Sequence, residues 1–298
     1  MSGEAMSAKS DPTAELRKKK SRIGEVWHRL KKNKVAVLSL FVIIIILIVA
    51  VFAEFIAPYP YDMQDYDKSF APPSRENLLG CDRLGRDVLS RIIYGAGQSL
   101  QLGVLSVAIS ASVGITIGAI SGYFGGKIDI IVMRALDIYQ SIPMFLLCVT
   151  LAAVMGPSIR NAIIAIGISM MPGPCRLMRA SILTVRENEY IEVAKAINTG
   201  HARIIRKHIL PNAISPLIVS TTMNIGNCIL SGAGLSFIGL GAQPPIPEWG
   251  ALISDARNIM REHGTLALYP GICVMITVLA FNLLGDGLRD ALDPRLKN

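Results

Sequence analysis

The residues of this chain that could do chemistry are few and thinly spread. Arg134 and Asp137 stand three apart in a largely apolar run. That spacing puts them on one face of a helix, where they either neutralise each other or serve a proton, ion or substrate. The pair compensates itself, which favours neutralisation. His28, His201, His208 and His263 are scattered outside the apolar runs, and none forms the spacing of a metal site or of a nucleophile with its base. Of the five cysteines, Cys148, Cys175, Cys228 and Cys273 lie in or beside apolar segments and Cys81 stands in a polar loop, so they supply neither a disulfide framework nor a ligand set. The single Gly-Lys pair, Gly126-Lys127, has Ser121 five residues before the glycine and Ile128 after the lysine, which rules out a phosphate-binding loop. An ATPase and a metalloenzyme are thereby excluded. An ion-coupled carrier needs a richer set of ionisable groups than this pair and Asp286 near the end of the last apolar run, and no inverted repeat is visible.

The elements that must position these residues are membrane helices. The chain has 298 residues, 51% apolar and 17% charged, with a positive mean hydropathy. That balance suits a bilayer better than water. Residues 35–53 contain one polar side chain, Ser39, and at about 1.5 Å per residue they cross a hydrocarbon core. This run is too long and starts too far in for a cleaved signal peptide, and Glu54 to Pro58 makes a poor cleavage site. Further apolar stretches at 100–124, 128–155, 161–171, 213–240 and 266–288 bring the expected spans to six. The fourth must break or unwind near its inner end at Pro172-Gly173-Pro174. The resulting layout is a cytoplasmic tail over 1–33, a first span over 34–56, an external loop over 57–98, a five-span core over 99–290 and a short tail over 291–298.

Basic residues set the orientation. Arg17, Lys18, Lys19, Lys20, Arg22, Arg29, Lys31, Lys32 and Lys34 precede the first span and hold the N-terminus on the cytoplasmic side. Six crossings return the C-terminus to that side. The internal loop between spans four and five agrees, since Arg176, Arg179, Arg186, Lys195, Arg203, Arg206 and Lys207 outnumber its acids. The net charge of +8 therefore reads as orientation and not as a nucleic-acid surface. Ile23, Val26, Trp27 and Leu30 recur at helical spacing among basic residues, either as an amphipathic helix on an anionic leaflet or as a plain charged flank, and residues 1–15 read as disordered. Gly114, Gly118 and Gly122 repeat on one helix face, and Gly226, Gly232 and Gly234 thin the fifth span. These glycines either let helices approach closely, the favoured reading, or line a path.

On the outer side, Asp82, Arg83, Arg86 and Asp87 alternate in sign. They either fasten the loop to itself, the better fit, or hold the charged termini of a peptide. Pro244, Pro245 and Pro247 stiffen a second outer loop and put Trp249 at the membrane interface or against a soluble partner.

The most informative stretch is the internal loop 188–212, too long and too patterned for a simple connection. Asn188 can cap a helix with Glu189 and Glu192 in its first turn, Ala194 and Ala196 continue it, and Asn198 or Gly200 takes the left-handed backbone that ends it. A second helix over 201–209 is stopped by Pro211. The outcome is an elbow with a small, alanine-lined tip between charged rims, offered to a soluble partner.

Glu192-Val193-Ala194, then Asn198, then Ile209-Leu210-Pro211 resembles the EAA loop of ABC importer permeases. Three further segments resemble the second permease of dipeptide, oligopeptide and nickel importers: the run from Leu79 to Arg91, the run from Gly234 to Gly241 with Pro244-Pro245 and Pro247-Glu248-Trp249-Gly250, and the run from Leu279 to Asp290. The likeness extends over 35–297. It implies an all-α membrane protein, a six-transmembrane-helix permease of the type I importer-like, MetI-like kind with cytoplasmic coupling helices. Glu189, Glu192, Ala194 and the turn at Asn198 and Gly200 would dock an ATPase, and Leu210 and Pro211 would anchor the elbow to span five. The implied partners are a second permease in a heterodimer, two cytoplasmic ATPase subunits and an extracytoplasmic substrate-binding protein. ATP and Mg would sit on the ATPases, with no cofactor or metal on this chain. The implied setting is the cytoplasmic membrane, and the implied cargo is a peptide, with glutathione or a nickel chelate as alternatives. Asn198 replaces the family's usual glycine, Cys81 its threonine, and Gly232 stands where an acid is common; the last two bear on substrate preference.

Overall fold

The computed structural model describes residues 22–292, and these are helical apart from turns and one isolated β-bridge between Cys81 and Asp87. The helices are α1 (Arg22–Leu30), α2 (Lys34–Val51), α3 (Ala53–Ile56), α4 (Val88–Phe124), α5 (Gly126–Gln140), α6 (Met144–Met155), α7 (Ile159–Ser169), α8 (Pro172–Arg186), α9 (Glu189–Ala196) and α10 (His201–Ile204). A π turn over Ile205–Ile209 leads into α11 (Leu210–Ala213), followed by α12 (Ser215–Phe237), α13 (Trp249–Ala256) and α14 (Thr265–Leu292). Among the described residues three helices, α2, α4 and α14, are long and apolar enough to cross a membrane, or five spans if two bent pairs each count as one. Arg17 to Lys20, residues 1–15 and most of the 291–298 tail lie outside the described residues.

Local chemistry explains where the helices begin and bend. Asn33 caps α2 by accepting from the backbone N–H groups of Val35 and Ala36. Asp87 caps α4 in the same way through Ser90, so α4 starts inside the stretch expected to be external loop. At 37 residues it is about 55 Å long, well beyond a hydrocarbon core of about 30 Å. The expected third span, 128–155, is not one straight helix: α5 and α6 meet at 82°. Pro143 stands at the bend as the residue before α6, where it pushes Ile142 out of helical conformation. As expected, the chain also breaks near Pro172, which takes the first position of α8.

Three buried clusters meet along α4. Leu30, Ile43, Leu100, Ile229, Trp249 and Phe281 join it to α1, α2 and α12–α14. Leu102, Cys148, Ile163, Ile166 and Leu235 join it to α6, α7 and α12. Tyr123, Met178, Ile182, Ile191, Ile204 and Ile209 join its far end to α8–α11. Outward-facing side chains remain apolar, such as Leu38 at 63% and Ile138 at 74% exposure, a surface suited to lipid and not to water. One end of the bundle gathers α1, the end of α4, the α9–α11 segment and the end of α14: Leu30 clusters with Ala291, and Tyr123 bonds His201. The first and last described residues therefore lie at the same end as the internal loop.

Gly114, Gly118 and Gly122 face α8 at backbone range. A Cβ at these positions would stand 2.7 Å from the Met171 carbonyl oxygen, 2.2 Å from that of Cys175 and 3.0 Å from that of Arg179. Gly226 meets the Val278 backbone of α14, and Gly232 gives room to the Leu102 side chain of α4. At all five an added Cβ would crowd a neighbouring helix, the geometry of close packing. Gly118→Val is expected to destabilise the bundle by about 1–3 kcal/mol, the usual cost of overpacking. Gly173→Ala, whose added Cβ meets nothing within 4 Å, is the matched control. Thermal unfolding of the detergent-solubilised protein should drop for the first and hold for the second.

Candidate functional site

The α9–α11 segment forms the expected elbow. Helix α9 ends at Asn198, which takes φ +55°, while the Thr199 N–H reaches the Ala194 carbonyl at 3.1 Å. That bond closes a Schellman turn, and asparagine tolerates its left-handed residue better than most. Gly200, the other candidate, is extended at φ −58°, ψ 140° and precedes α10. Asn188 does not cap α9 as expected; its side-chain amide donates backwards to the Val185 and Thr184 carbonyls at 2.8 and 3.4 Å and closes α8. Pro211 does not stop the second helix either. Its ring and missing N–H would disrupt an α-helical turn, but the π turn widens the helix, with the Leu210 N–H bonded to Ile205 and Asn212 donating to the His208 carbonyl at 2.7 Å. The helix therefore continues to Ala213 and bends by 63° into α12.

The elbow is anchored from below and open at its tip. Ile191, Ile204 and Ile209 are fully buried against Met178, Ile182 and Tyr123. The Tyr123 hydroxyl pairs with Nδ1 of His201 at 2.7 Å, and Arg186 donates to the Gly122 and Tyr123 carbonyls. Ala194 lies inside this cluster at 6% exposure while Ala196 is exposed, which corrects the expectation of an exposed alanine tip at Ala194 alone. Glu189, Glu192, Asn198, Gly200 and Pro211 are exposed, and Leu210 is half-buried. The face turned outward carries Tyr190, Val193 and Ile197, at 45%, 60% and 72% exposure. Their i, i+3, i+7 spacing was visible in the sequence as a second apolar stripe on α9.

The charges along α5 pair across helices. Asp137 lies 2.7 Å from Arg176 of α8 and 3.9 Å from Arg134, so the expected pair exists but the closer partner is 39 positions along the chain. Asp129, overlooked in the sequence reading, receives both a bidentate contact from Arg179 and the Ser121 hydroxyl. These two bridges tie α5 to α8 beside the glycine contacts with α4. Asp286 is exposed.

At the opposite end of the bundle the outer loops fasten to each other. Asp82 accepts from the backbone of Leu84 and Arg86 and from the Arg86 Nε at 2.7 Å. Buried Arg86 and Arg91 both face Asp255 of α13, at 3.8 and 3.6 Å. Asp87 accepts from Asn77 and Ser90. Arg83 stays exposed and lends only its carbonyl, to Ser69. Burial pushes the Cys81 thiol up, which suits a packing role. Trp249 is 2% exposed, with its indole N–H on the Ile92 carbonyl at 3.0 Å, so it is a core residue and not the interfacial one expected. Fully buried Glu248, unremarked in the sequence, explains this: it caps α13 and takes the Ser99 hydroxyl at 3.0 Å, pinning α13 to α4.

Comparison with known proteins fits this architecture. Residues 114–298 match the family described as binding-protein-dependent transport system inner membrane component. Residues 21–73 match the N-terminal TM domain of oligopeptide transport permease C. The dipeptide transport system permease protein DppC of Alkalihalophilus pseudofirmus is 43% identical over 92% of this chain and 90% of its own length. The glutathione transport system permease protein GsiD of Pectobacterium atrosepticum is 41% identical over 92% and 91%. An inward-facing structure of the MetNI methionine ABC transporter aligns with a TM-score of 0.56 at 19% identity, covering 68% of this chain and 97% of its own, and so shares the fold, the all-helical MetI-like type I importer permease. With an apolar helical bundle, an elbow at one end and these matches across most of its length, the chain belongs to the family of binding-protein-dependent transport system inner membrane components, multi-pass permeases that are not themselves enzymes.

Proposed function

We infer that this permease moves peptides of the dipeptide or oligopeptide kind through the cytoplasmic membrane by alternating access, driven by ATP hydrolysed on partner subunits. The observation that carries the coupling part is the elbow: Tyr190, Val193 and Ile197 form an exposed apolar face on a helix that also exposes Glu189 and Glu192, at the end of the bundle that also holds both described termini. Such a face needs a soluble partner. Two ATPase subunits carrying ATP and Mg meet that need, one of them seating α9. A second permease completes a heterodimer, and an extracytoplasmic binding protein delivers the cargo. The elbow end is cytoplasmic because the basic residues concentrate there. Six crossings, with α5–α6 and α7–α8 as broken spans, are consistent with Phe124, the elbow and Leu292 sharing that end. Glutathione, itself a small peptide, is the second reading, supported by the GsiD relatives.

The corrected geometry separates docking from folding. Glu192→Lys and Val193→Asp are expected to leave the protein inserted and folded but to cut substrate-driven ATP hydrolysis in the assembled importer by about tenfold or more, as loss of a contact worth about 1.4 kcal/mol would. Ala194→Asp instead buries a charge and should reduce the amount of folded protein. Normal transport by the first two variants would remove the elbow from the mechanism. Asn198→Gly should be neutral, whereas Asn198→Val should cost about 1–2 kcal/mol of elbow stability in the left-handed position, read as faster amide exchange over α9.

A further inference from the structure

Two cavities share one lining side chain of α12. The smaller, about 270 Å³, lies where two helices are interrupted: Ile142 and Pro143 from the α5–α6 bend and Ser169 and Pro172 from the α7–α8 break line it. The larger, about 680 Å³, runs along the inner half of α12 past Ser215, Ser220 and Asn227 to Arg289. Asn224 lines both. Asn224 holds only loose contacts, both at 3.4 Å, from its amide to Ser220 and to its carbonyl oxygen from Asn227. A carboxamide offers two donors and two acceptor sites, so most of its capacity is unused. Exposed carboxamides in the middle of an apolar spanning helix are costly against lipid and are expected where a helix faces water or a polar passenger. Arg289 is the one ionised side chain among the described residues that line either cavity.

We propose that Asn224 is the narrow point of the cargo path, joining an outer chamber at the helix breaks to an inner chamber along α12. The path recognises peptide main-chain amides and not side-chain charges. Neutral carboxamides and hydroxyls reproduce the donor and acceptor pattern of a peptide bond, and the near absence of fixed charge lets peptides of either sign pass. The interrupted helices supply the mobility, because α5–α6 and α7–α8 can pivot about Pro143 and Pro172 while the continuous α12 keeps Asn224 in place. The proposal rests on the peptide reading only for the identity of the passenger.

The test has two arms in the complete importer reconstituted in proteoliposomes, with Cys273, the one cysteine that is not buried, replaced by serine. In the first, Asn224→Cys and Asn227→Cys react with a charged, membrane-impermeant methanethiosulfonate about tenfold or more faster than Leu38→Cys on α2 in at least one nucleotide state, since a thiol in lipid stays protonated. Rates no faster than Leu38→Cys overturn the path whatever the cargo. In the second, Asn224→Leu lowers uptake of radiolabelled Ala-Ala by about tenfold, while Asn224→Gln, which keeps the carboxamide, retains most uptake. Unchanged uptake in Asn224→Leu, or an equal loss of uptake in Asn224→Gln, overturns amide recognition at this position. Labelling at 224 without Ala-Ala uptake by the parent importer sinks the dipeptide reading and leaves the path standing.

Discussion

The close contact between α4 and α8 through Gly114, Gly118 and Gly122 is the constraint on which the rest of the molecule depends. It sets the two helices at backbone range, and in lipid, where apolar side chains gain little by leaving their solvent, such approach is a main source of helix association. Because α8 is held in this way, Arg179 and Arg176 can reach Asp129 and Asp137 on α5, and Arg186 can hold the end of α4. The elbow begins two residues after α8 ends. In the proposed coupling a shift of the elbow would move α8 as a lever, with α5 tied to it through Asp129 and Asp137.

The two ends of the bundle are built differently, and the difference follows from their tasks. At the outer end Asp82, Arg86, Arg91 and Asp255 bind loop to helix in a charged knot, and Glu248 fixes α13 on α4 through Ser99. At the elbow end the seat is mainly apolar, with Ile191, Ile204 and Ile209 on Met178 and Ile182 and the Tyr123–His201 and Arg186 hydrogen bonds beside it. An apolar seat resists tilting but accepts sliding, whereas a knot of directional bonds does not. In the proposed mechanism the outer loops act as a fixed cap, and the elbow is the part that transmits force.

Much of this was legible in the sequence, and the misses have physical reasons. The apolar runs, the break at Pro172 and the elbow's first helix come from local pattern, because span length and turn chemistry are properties of neighbours in sequence. Pro143 carried the same kind of signal as Pro172, yet a continuous apolar run hid the bend. The burial of Ala194 and Trp249 depended on what covers them, namely Ile204 on one side and Glu248 with Ser99 on the other, partners that spacing cannot reveal. Asp137 was matched to Arg134 for the same reason: the helix period displays an i+3 neighbour and hides one on another helix. Asn198 was read correctly in kind, but only the Thr199 to Ala194 bond chose it over Gly200.

The account's central claim is that the outward face of α9 is gripped by a separate ATPase. The most direct measurement is cysteine crosslinking in intact membranes from Val193 and Ile197, with buried Ala194 as the internal control. The account predicts short-reagent crosslinks from Val193→Cys and Ile197→Cys to a single ATPase species, and none from Ala194→Cys. Absence of any ATPase adduct from the two exposed positions, in membranes where the importer is active, would contradict it.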